Sequence, residues 1–277
     1  MWGFIFVFTK QLTEFLSRNF VFLMLRRTMA EFDIKGGLQN VWKRIDEVLL
    51  HRSQDIKTAR PVLVAVSKTK PADAVIEAYQ AGQRDFGENY VQELEEKSRH
   101  PDIVAQCPDI RWHFIGHMQS NKINKVLAVP NLYMIQTVDS QKLATKLDAA
   151  WSKVQPPKDE PLKVLIQINT SGEDVKSGIE PKEAPALFEF IKSNLKHLKL
   201  MGIMTIGAYG FDYSNGPNPD FVSLMQVHRS ICEGNSLAPE SVLVSMGMSN
   251  DYDRAIEMGS TVVRVGTSIF GYRAAKA

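Results

Sequence analysis

Short apolar runs with strand character alternate with amphipathic segments of helical spacing, and this pattern recurs eight times in the chain. Strands separated by a helix run parallel, because a helical crossover returns the chain to the same end of the sheet. The length of each repeat is that of a (β/α)8 barrel of the TIM type. The predicted strands cover residues 62–67, 85–87, 112–115, 132–137, 163–169, 198–206, 242–245 and 261–265.

An extra helix is predicted before the first strand, over residues 37–52, because Leu38, Val41, Ile45 and Val48 recur at helical spacing. The fold class that we expect is therefore α/β, a single barrel with an additional N-terminal helix. An open doubly wound sheet is the structural alternative, but it normally carries a glycine-rich phosphate loop after its first strand. The tripeptide at residues 67–69 is Ser-Lys-Thr and contains no glycine, which favours the barrel.

The first predicted strand ends in a lysine. Val62, Val64, Val66 and Lys68 have the same parity, so in a strand their side chains point to one face. That face is apolar up to Lys68, which would stand at the carboxyl end of a buried strand, where parallel barrels hold their chemistry. A lysine at a strand end is more often simply solvated, so this position alone supports only a hypothesis.

The segments after strands seven and eight are typical of a phosphate site. Gly247 would let the backbone approach an anion at the start of a helix, and Ser249 offers a hydroxyl. Gly266 and Thr267 would offer backbone N–H groups to the same anion. Each segment alone also fits a plain helix cap or turn. Their position on neighbouring late strands, where TIM barrels often bind phosphate, favours the functional interpretation.

Strand eight adjoins strand one in a closed barrel, so one small phosphorylated ligand could reach both Lys68 and the phosphate site. A neutral lysine amine forms a Schiff base with an aldehyde, and a nearby cation such as Arg264 favours the neutral form. Pyridoxal 5′-phosphate is the common cofactor that carries both an aldehyde and a phosphate. The residues therefore indicate this cofactor.

Four segments carry a resemblance to a known family: VAVSKTKP at 64–71, FGENYVQE at 86–93, WHFIGHMQSNK at 112–122 and SMGMS at 245–249. Together, in this order, they resemble the pyridoxal phosphate homeostasis proteins, also called proline synthase co-transcribed homologues. The resemblance covers about residues 37–273. It implies a barrel like the N-terminal domain of alanine racemases, with pyridoxal 5′-phosphate held as a Schiff base. The cofactor-binding residues that it implies are Lys68, Asn89, Ser249, Arg264, Gly266 and Thr267.

The resemblance assigns Arg264 to the pyridine nitrogen of the cofactor. An arginine cannot accept a proton, so it would keep that nitrogen unprotonated and make the ring a weak electron sink. Residues 271–277 are too few for the β-rich second domain that brings a catalytic tyrosine to the cofactor in alanine racemases. Both implications favour a protein without strong turnover.

Three functions follow as hypotheses. The first is a cofactor carrier that acts in intracellular vitamin B6 homeostasis and limits the free aldehyde, with pyridoxal phosphate-dependent apoenzymes as candidate recipients. The second is a pyridoxal phosphate-dependent amino-acid racemase, with Lys68 as one base and an unidentified second base. The third, a phosphosugar lyase or aldolase that uses Lys68, is opposed only by the resemblance.

Several other polar residues have two interpretations. His113 and His117 flank a strand end and could be acid–base groups, although packing or loop hydrogen bonds are the more common role. The helix predicted over residues 88–98 makes Glu88 a helix-end charge and Asn89 a helix cap if the resemblance fails. Asp251 is likewise interpreted as a charge at a helix end.

Composition excludes other classes of function. The net charge is +2 and no block of Lys and Arg occurs among aromatic residues, so nucleic acid is not an expected partner. The two cysteines, Cys107 and Cys232, and the six histidines have no metal-ligand spacing, so no structural metal is expected. We expect a monomer in the cytoplasm, with no stable membrane association.

The first 28 residues differ from the rest, because they are rich in Phe and contain four basic residues and one acid. A mitochondrial presequence and a plain upstream extension before a second start at Met29 are both compatible with this composition. Lys10, Glu14 and Arg18 interrupt the apolar residues, so a membrane span is not predicted. The expected organisation is an extension over residues 1–28 and one barrel domain over residues 29–277.

Overall fold

The computed structural model describes residues 32–155, 160–173 and 175–272. The predicted extension over residues 1–28, and its boundary with the barrel, lie outside these ranges. The first described element is a helix that begins at Ile34.

Eight parallel strands form a closed barrel in the order β1 to β8, which confirms the predicted fold class. Each predicted strand is present, with ends that differ by no more than a few residues. The strands are β1 Val62–Val66, β2 Asp85–Glu88, β3 Arg111–Phe114, β4 Leu132–Val138, β5 Leu162–Gln167, β6 Leu198–Met204, β7 Leu243–Ser245 and β8 Val262–Val265.

The helices surround the barrel and connect consecutive strands. Within the described ranges they are α1 Ile34–His51, α2 Ala72–Gln80, α3 Val91–Ser98, α4 Pro101–Gln106, α5 Ile123–Leu127, α6 Gln141–Trp151, α7 Ala184–Asn194, α8 Pro219–Gly234, α9 Tyr252–Glu257 and α10 Thr267–Phe270. The short helices α4 and α10 were not predicted. Single-turn 3₁₀ helices precede α5 and α7.

One predicted helix begins later than expected. The segment predicted to be helical from residue 88 begins at Val91, because Glu88 is the last residue of β2 and pairs with Phe114 of β3. The carbonyl of Glu88 also accepts a hydrogen bond from the backbone of Ile115 at 2.9 Å. A strand of only four residues has too little apolar periodicity to show its end in the sequence.

The extra helix α1 closes the outer layer beside the last strand. Its buried face consists of Ile34, Leu38, Val41, Ile45 and Val48. A Cβ added at residue 37 would lie 2.8 Å from the carbonyl oxygen of Ser268, so the glycine there allows α1 to lie directly against α10.

Strand alternation separates two parts of the core. Large side chains such as Phe86 and Trp112, whose ring centres lie 5.9 Å apart, fill the space between the strands and the helices. The barrel interior holds a smaller apolar cluster of Met134, Leu165 and Met204. Polar groups occupy much of the remaining interior and its carboxyl end, so functional groups are expected at that end. No helix in the described ranges has both the length and the apolar character that a bilayer crossing requires.

The N-terminal cap of α6 supplies a test of the fold. The Ser140 hydroxyl accepts a hydrogen bond from the backbone N–H of Leu143 at 3.2 Å. Replacing it in Ser140→Ala should lower the free energy of unfolding by about 1 kcal/mol, because one helix donor loses its partner. Ser152→Ala, at the exposed end of the same helix, should change it by less than about 0.5 kcal/mol. Urea denaturation measures both, and equal effects would contradict the assigned cap.

Candidate functional site at the carboxyl end of the barrel

Lys68 lies in the turn that follows β1, two residues beyond the end of the strand, and its side chain is half-buried. The next residue, Thr69, has a φ of 64°. This left-handed conformation is uncommon for any residue except glycine and is unfavourable for a β-branched one. The turn that carries the lysine is therefore held in place by surrounding contacts.

A buried ion pair contacts the residue before the lysine. The ammonium of Lys97 donates to the carbonyl of Ser67 and to Glu88 Oε1, each at 2.7 Å. The Ser67 hydroxyl donates to the same carboxylate oxygen at 2.7 Å. The Glu88 side chain has no exposed surface, and burial raises the pKa of this carboxyl while the Lys97 ammonium opposes the shift.

A second carboxylate contacts the residue after the lysine. Glu93 Oε2 accepts from the backbone N–H of Thr69 at 2.7 Å, and its other contact is the Lys97 ammonium at 3.0 Å. Glu88, Glu93 and Lys97 thus hold the turn on both sides of Lys68. We call these three residues the lysine clamp.

Sequence reasoning missed the lysine clamp and assigned Glu88 to a helix end, which is wrong because this residue ends β2. The i to i+4 spacing of Glu93 and Lys97 was visible in the sequence, but it is also typical of a solvated helix face. Only the fold brings that pair against the turn after β1.

The two segments predicted to bind phosphate lie together. The Ser249 hydroxyl accepts a hydrogen bond from the backbone N–H of Gly266 at 3.1 Å, which joins the loops after β7 and β8. Gly247 has a φ of 92°, and a Cβ there would lie 2.6 Å from the Cβ of Ala255. Glycine is therefore required at this turn.

The two loops that are predicted to bind phosphate also adjoin the strand that leads to the lysine. A Cβ added at residue 266 would lie 3.2 Å from the carbonyl oxygen of Val66, the last residue of β1. Gly266 immediately follows β8, and Lys68 follows Val66 by two residues. The structure thus brings the lysine turn and the predicted phosphate loops to one seam of the barrel. The side chain of Thr267 is half-buried at the first position of α10, within the same loop.

Arg264 points into the barrel interior below this seam. Its side chain is buried, with Nη1 donating to Ser245 Oγ at 2.5 Å and Nη2 donating to the carbonyl of Thr205 at 2.7 Å. Burial lowers the pKa of Arg264 to about 10, and the nearby Asp251 carboxylate opposes this change. The guanidinium therefore stays protonated at neutral pH and acts only as a donor.

Asn89 lies just beyond the end of β2 and is half-buried. Its side-chain Oδ1 is buried and has no hydrogen-bond partner among the described residues. A Cβ at residue 116 would lie 1.8 Å from the backbone oxygen of Asn89, so Gly116 permits the close approach of the two loops. The structure therefore presents an unsatisfied acceptor near the mouth of the barrel.

The two histidines proposed as acid–base groups occupy different environments. His113 is buried inside the barrel and contacts Asp85 and Gln136 at 2.9 and 3.0 Å. The His117 side chain is 56% exposed, and its Nδ1 lies 2.9 Å from the Ser177 hydroxyl.

Asp251, which was predicted to be a charge at a helix end, accepts a hydrogen bond from the backbone N–H of Met248 at 2.6 Å, so its side chain orders the turn that precedes α9. In the part of the chain that the structure describes, no group of three His, Cys, Asp or Glu side chains could hold a metal ion.

Comparison with known proteins agrees with this geometry. Residues 47–274 match the family described as alanine racemase, N-terminal domain. The pyridoxal phosphate homeostasis protein of Mus musculus is 53% identical over 244 residues, which cover 88% of each chain. That of Homo sapiens is 50% identical over the same length. The structure of PipY from Synechococcus elongatus with PLP bound has a TM-score of 0.66 and 30% identity, and the match covers 83% of this chain and 99% of that one.

The fold and the matched residues define an α/β barrel of the alanine racemase N-terminal domain class. Within that class, the identity to the mouse and human proteins shows that the chain belongs to the pyridoxal phosphate homeostasis protein family.

The lysine clamp can be tested through stability. Lys97→Met should lower the free energy of unfolding by about 3–5 kcal/mol, because it leaves the buried Glu88 carboxylate without its partner. Lys125→Met removes a surface contact to Glu95 of 3.7 Å and should cost less than about 1 kcal/mol. Chemical denaturation compares the two. The double variant Glu88→Gln/Lys97→Met should recover part of the loss, and a Lys97→Met protein as stable as Lys125→Met would refute the clamp.

Proposed function

We propose that this protein binds pyridoxal 5′-phosphate as a Schiff base on Lys68 and serves intracellular vitamin B6 homeostasis by holding the reactive aldehyde, without strong catalytic turnover. The observation that carries this proposal is the seam at which the Gly266 backbone lies against Val66. At this seam the turn that carries Lys68 adjoins the two loops that are predicted to bind phosphate. The cofactor in the PipY structure and the names of the mouse and human relatives support the choice of ligand.

The residues at the seam fit this cofactor. Ser249, Gly266 and Thr267 would hold the phosphate with hydroxyl and backbone N–H groups. Asn89 would offer its unsatisfied side chain to the cofactor, and the cationic Arg264 would donate to the pyridine nitrogen. When bound, pyridoxal phosphate supplies an aldehyde that condenses with an amine and releases water.

The lysine clamp supports the assignment of Lys68 to that amine. Glu93 and Lys97 hold the backbone of residues 67 and 69, so the side chain between them starts from a fixed position. A fixed starting point reduces the entropy that is lost when a lysine becomes immobilised in a covalent bond. The clamp would therefore favour the bound state without contacting the cofactor.

Weak turnover follows from the group that would face the ring nitrogen. Arg264 remains protonated and cannot accept a proton, so it would stabilise an unprotonated nitrogen. A ring in that state withdraws electrons poorly from an attached amino acid, which disfavours loss of its α-proton. Storage and delivery of the cofactor are more compatible with this arrangement than racemisation is.

The proposed location is the cytoplasm, and the proposed recipients of the cofactor are apoenzymes that use it.

Exposed apolar side chains beside the site could contact such a recipient. Tyr90 follows β2, and Ile206 and Tyr209 follow β6, at the carboxyl end of the barrel. All three side chains are exposed, and Tyr209 is 85% exposed. Aromatic and aliphatic side chains beside a ligand site are suited to contact with another protein.

The Schiff base can be tested directly. Borohydride reduction of the protein loaded with pyridoxal phosphate should fix the cofactor on the peptide that contains Lys68, as found by mass spectrometry. Lys68→Ala should lose the visible absorbance of the Schiff base, because it removes the amine. Lys70→Ala is the matched control, since the Lys70 ammonium donates to the carbonyls of Phe270 and Tyr272 and is expected to leave the absorbance unchanged. Reduction at another lysine would overturn the assignment.

The proposed lack of strong turnover can be tested by measuring exchange of the α-proton of an amino acid. In D2O the loaded protein should exchange the α-proton of L-alanine or L-serine no faster than the Lys68→Ala protein with the same cofactor, because Arg264 makes the ring a weak electron sink. Proton NMR follows the loss of the α-proton signal. Exchange that is rapid and depends on Lys68 would instead support the racemase hypothesis.

A further inference from the structure

A chain of buried hydrogen bonds runs from Arg264 across the barrel interior. Arg264 Nη1 donates to the Ser245 hydroxyl at 2.5 Å, and that hydroxyl donates to Gln136 Oε1 at 2.7 Å. Gln136 Nε2 lies 3.0 Å from His113 Nδ1, and His113 Nε2 lies 2.9 Å from Asp85 Oδ1. We call Ser245, Gln136, His113 and Asp85 the interior relay.

The interior relay connects the two ends of the barrel. Asp85 is the first residue of β2, four residues before Asn89, so it lies about 13 Å along the strand from the mouth. Its other carboxylate oxygen accepts from Arg111 Nη2 at 2.6 Å. The side chain of Arg111 is 45% exposed, so the relay reaches solvent only at this far end.

Each member of the interior relay is deeply buried. Ser245 and Gln136 have no exposed surface, while His113 is 2% and Asp85 is 6% exposed. A buried polar atom without a partner is destabilising, so each member requires the correct donor or acceptor beside it. These residues therefore cannot change orientation independently.

The donor and the acceptor of every hydrogen bond in this series follow from the two residues at its ends, Arg264 and Asp85. Arg264 is only a donor, so the proton of the Ser245 hydroxyl must point to Gln136, whose oxygen accepts it. The amide nitrogen of Gln136 then faces His113, and because this nitrogen is only a donor, His113 Nδ1 must be the acceptor. The ring proton consequently lies on Nε2 and is donated to Asp85, which as a carboxylate is only an acceptor.

We propose that the interior relay positions Arg264 for the cofactor, so that a carboxylate at the far end of the barrel determines how the guanidinium is held at the mouth. This inference rests on the proposed binding of pyridoxal phosphate. Asp85 keeps His113 in one tautomer, the tautomer keeps the Gln136 amide in one orientation, and the amide oxygen keeps the Ser245 hydroxyl turned so that its lone pairs face Arg264. The Arg264 fork then has a fixed direction from which to donate to the pyridine nitrogen.

The variant Asp85→Asn separates the relay from simple packing. An amide at residue 85 has nearly the same shape, but it can present either an acceptor or a donor to His113. The tautomer is then no longer specified, and Gln136 can reverse. When the Gln136 amide is reversed, its nitrogen faces Ser245 and cannot accept the hydroxyl proton. The Ser245 hydroxyl can then turn, and the Arg264 guanidinium is no longer held in one orientation.

The readout is the ¹⁵N chemical shift of pyridoxal phosphate labelled at the ring nitrogen and bound to the full-length protein. In Ser245→Ala and Asp85→Asn we expect this shift to move toward that of a pyridoxal phosphate Schiff base in a solvent without hydrogen-bond donors. The dissociation constant for pyridoxal phosphate should rise about tenfold in Ser245→Ala and about threefold in Asp85→Asn.

The matched control is Thr261→Val. Thr261 has no exposed surface, and its hydroxyl contacts the backbone of Val244, where it accepts from the N–H at 2.7 Å. This substitution removes a buried hydrogen bond from the same pair of strands, so it should lower stability without changing the ¹⁵N shift.

The outcomes are distinct. Failure of the wild-type protein to bind pyridoxal phosphate on Lys68 would reject the proposed function itself. Normal wild-type binding with a ¹⁵N shift that Ser245→Ala and Asp85→Asn leave at the control value would reject the relay alone. Should Asp85→Asn not fold, His113→Phe decides the question, because it interrupts the relay at a residue that does not contact Arg264. A shift that moves in Asp85→Asn or His113→Phe and stays constant in Thr261→Val would support the inference, whereas a shift that moves in Ser245→Ala alone would reject it, because Ser245 contacts Arg264 directly.

Discussion

Closure of the barrel between β8 and β1 is the constraint on which the site depends. The two strands pair in parallel with Val64 opposite Arg264 and Ala65 opposite Val265. In an open sheet of the same strand order, β1 and β8 would lie at opposite edges, and the lysine turn could not meet the predicted phosphate loops. Closure alone converts two segments that are about 180 residues apart in the sequence into one site.

Two polar networks surround this seam, and each satisfies its own buried groups. The lysine clamp fixes the backbone beside Lys68 through an ion pair, while the interior relay reaches Arg264 from below. Buried polar groups add little net stability even when they are paired, but they specify one arrangement, because any alternative leaves a donor or acceptor unsatisfied. The apolar residues between strands and helices supply the stability that lets the interior be polar.

The alternation of strands and helices predicted the barrel, and it predicted Lys68 and the glycines after β7 and β8 to lie at the carboxyl ends of their strands. The structure places Lys68 in the turn after β1, where strand parity no longer fixes the direction of a side chain, so its role and that of the two loops stay predictions. The lysine and the glycine-containing segments indicated the cofactor, but the assignment of Asn89 and the placement of Arg264 at the pyridine nitrogen came from the family resemblance, since an asparagine after a short strand has no distinctive pattern.

The missed residues have a common physical cause. Gln136 is a polar residue in the otherwise mostly apolar strand β4, and Asp85 and His113 have the parity of an interior face, so each was visible singly, and His113 was named as a candidate acid–base group. Their partners lie on different strands, however, and hydrogen bonds across a barrel interior depend on register and closure. Local periodicity contains no information about them. Glu88 was misplaced for a related reason, because its partner Lys97 belongs to the following helix.

The left-handed backbone of Thr69 has a consequence for how this site can change. A β-branched residue in that conformation carries about 1–2 kcal/mol of strain, which the hydrogen bond from its N–H to Glu93 helps to offset. Glycine at this position would relieve that strain, yet it would also widen the range of directions open to the neighbouring Lys68 side chain. An unstrained backbone and a fixed direction for the Lys68 side chain are therefore opposed at a single peptide unit.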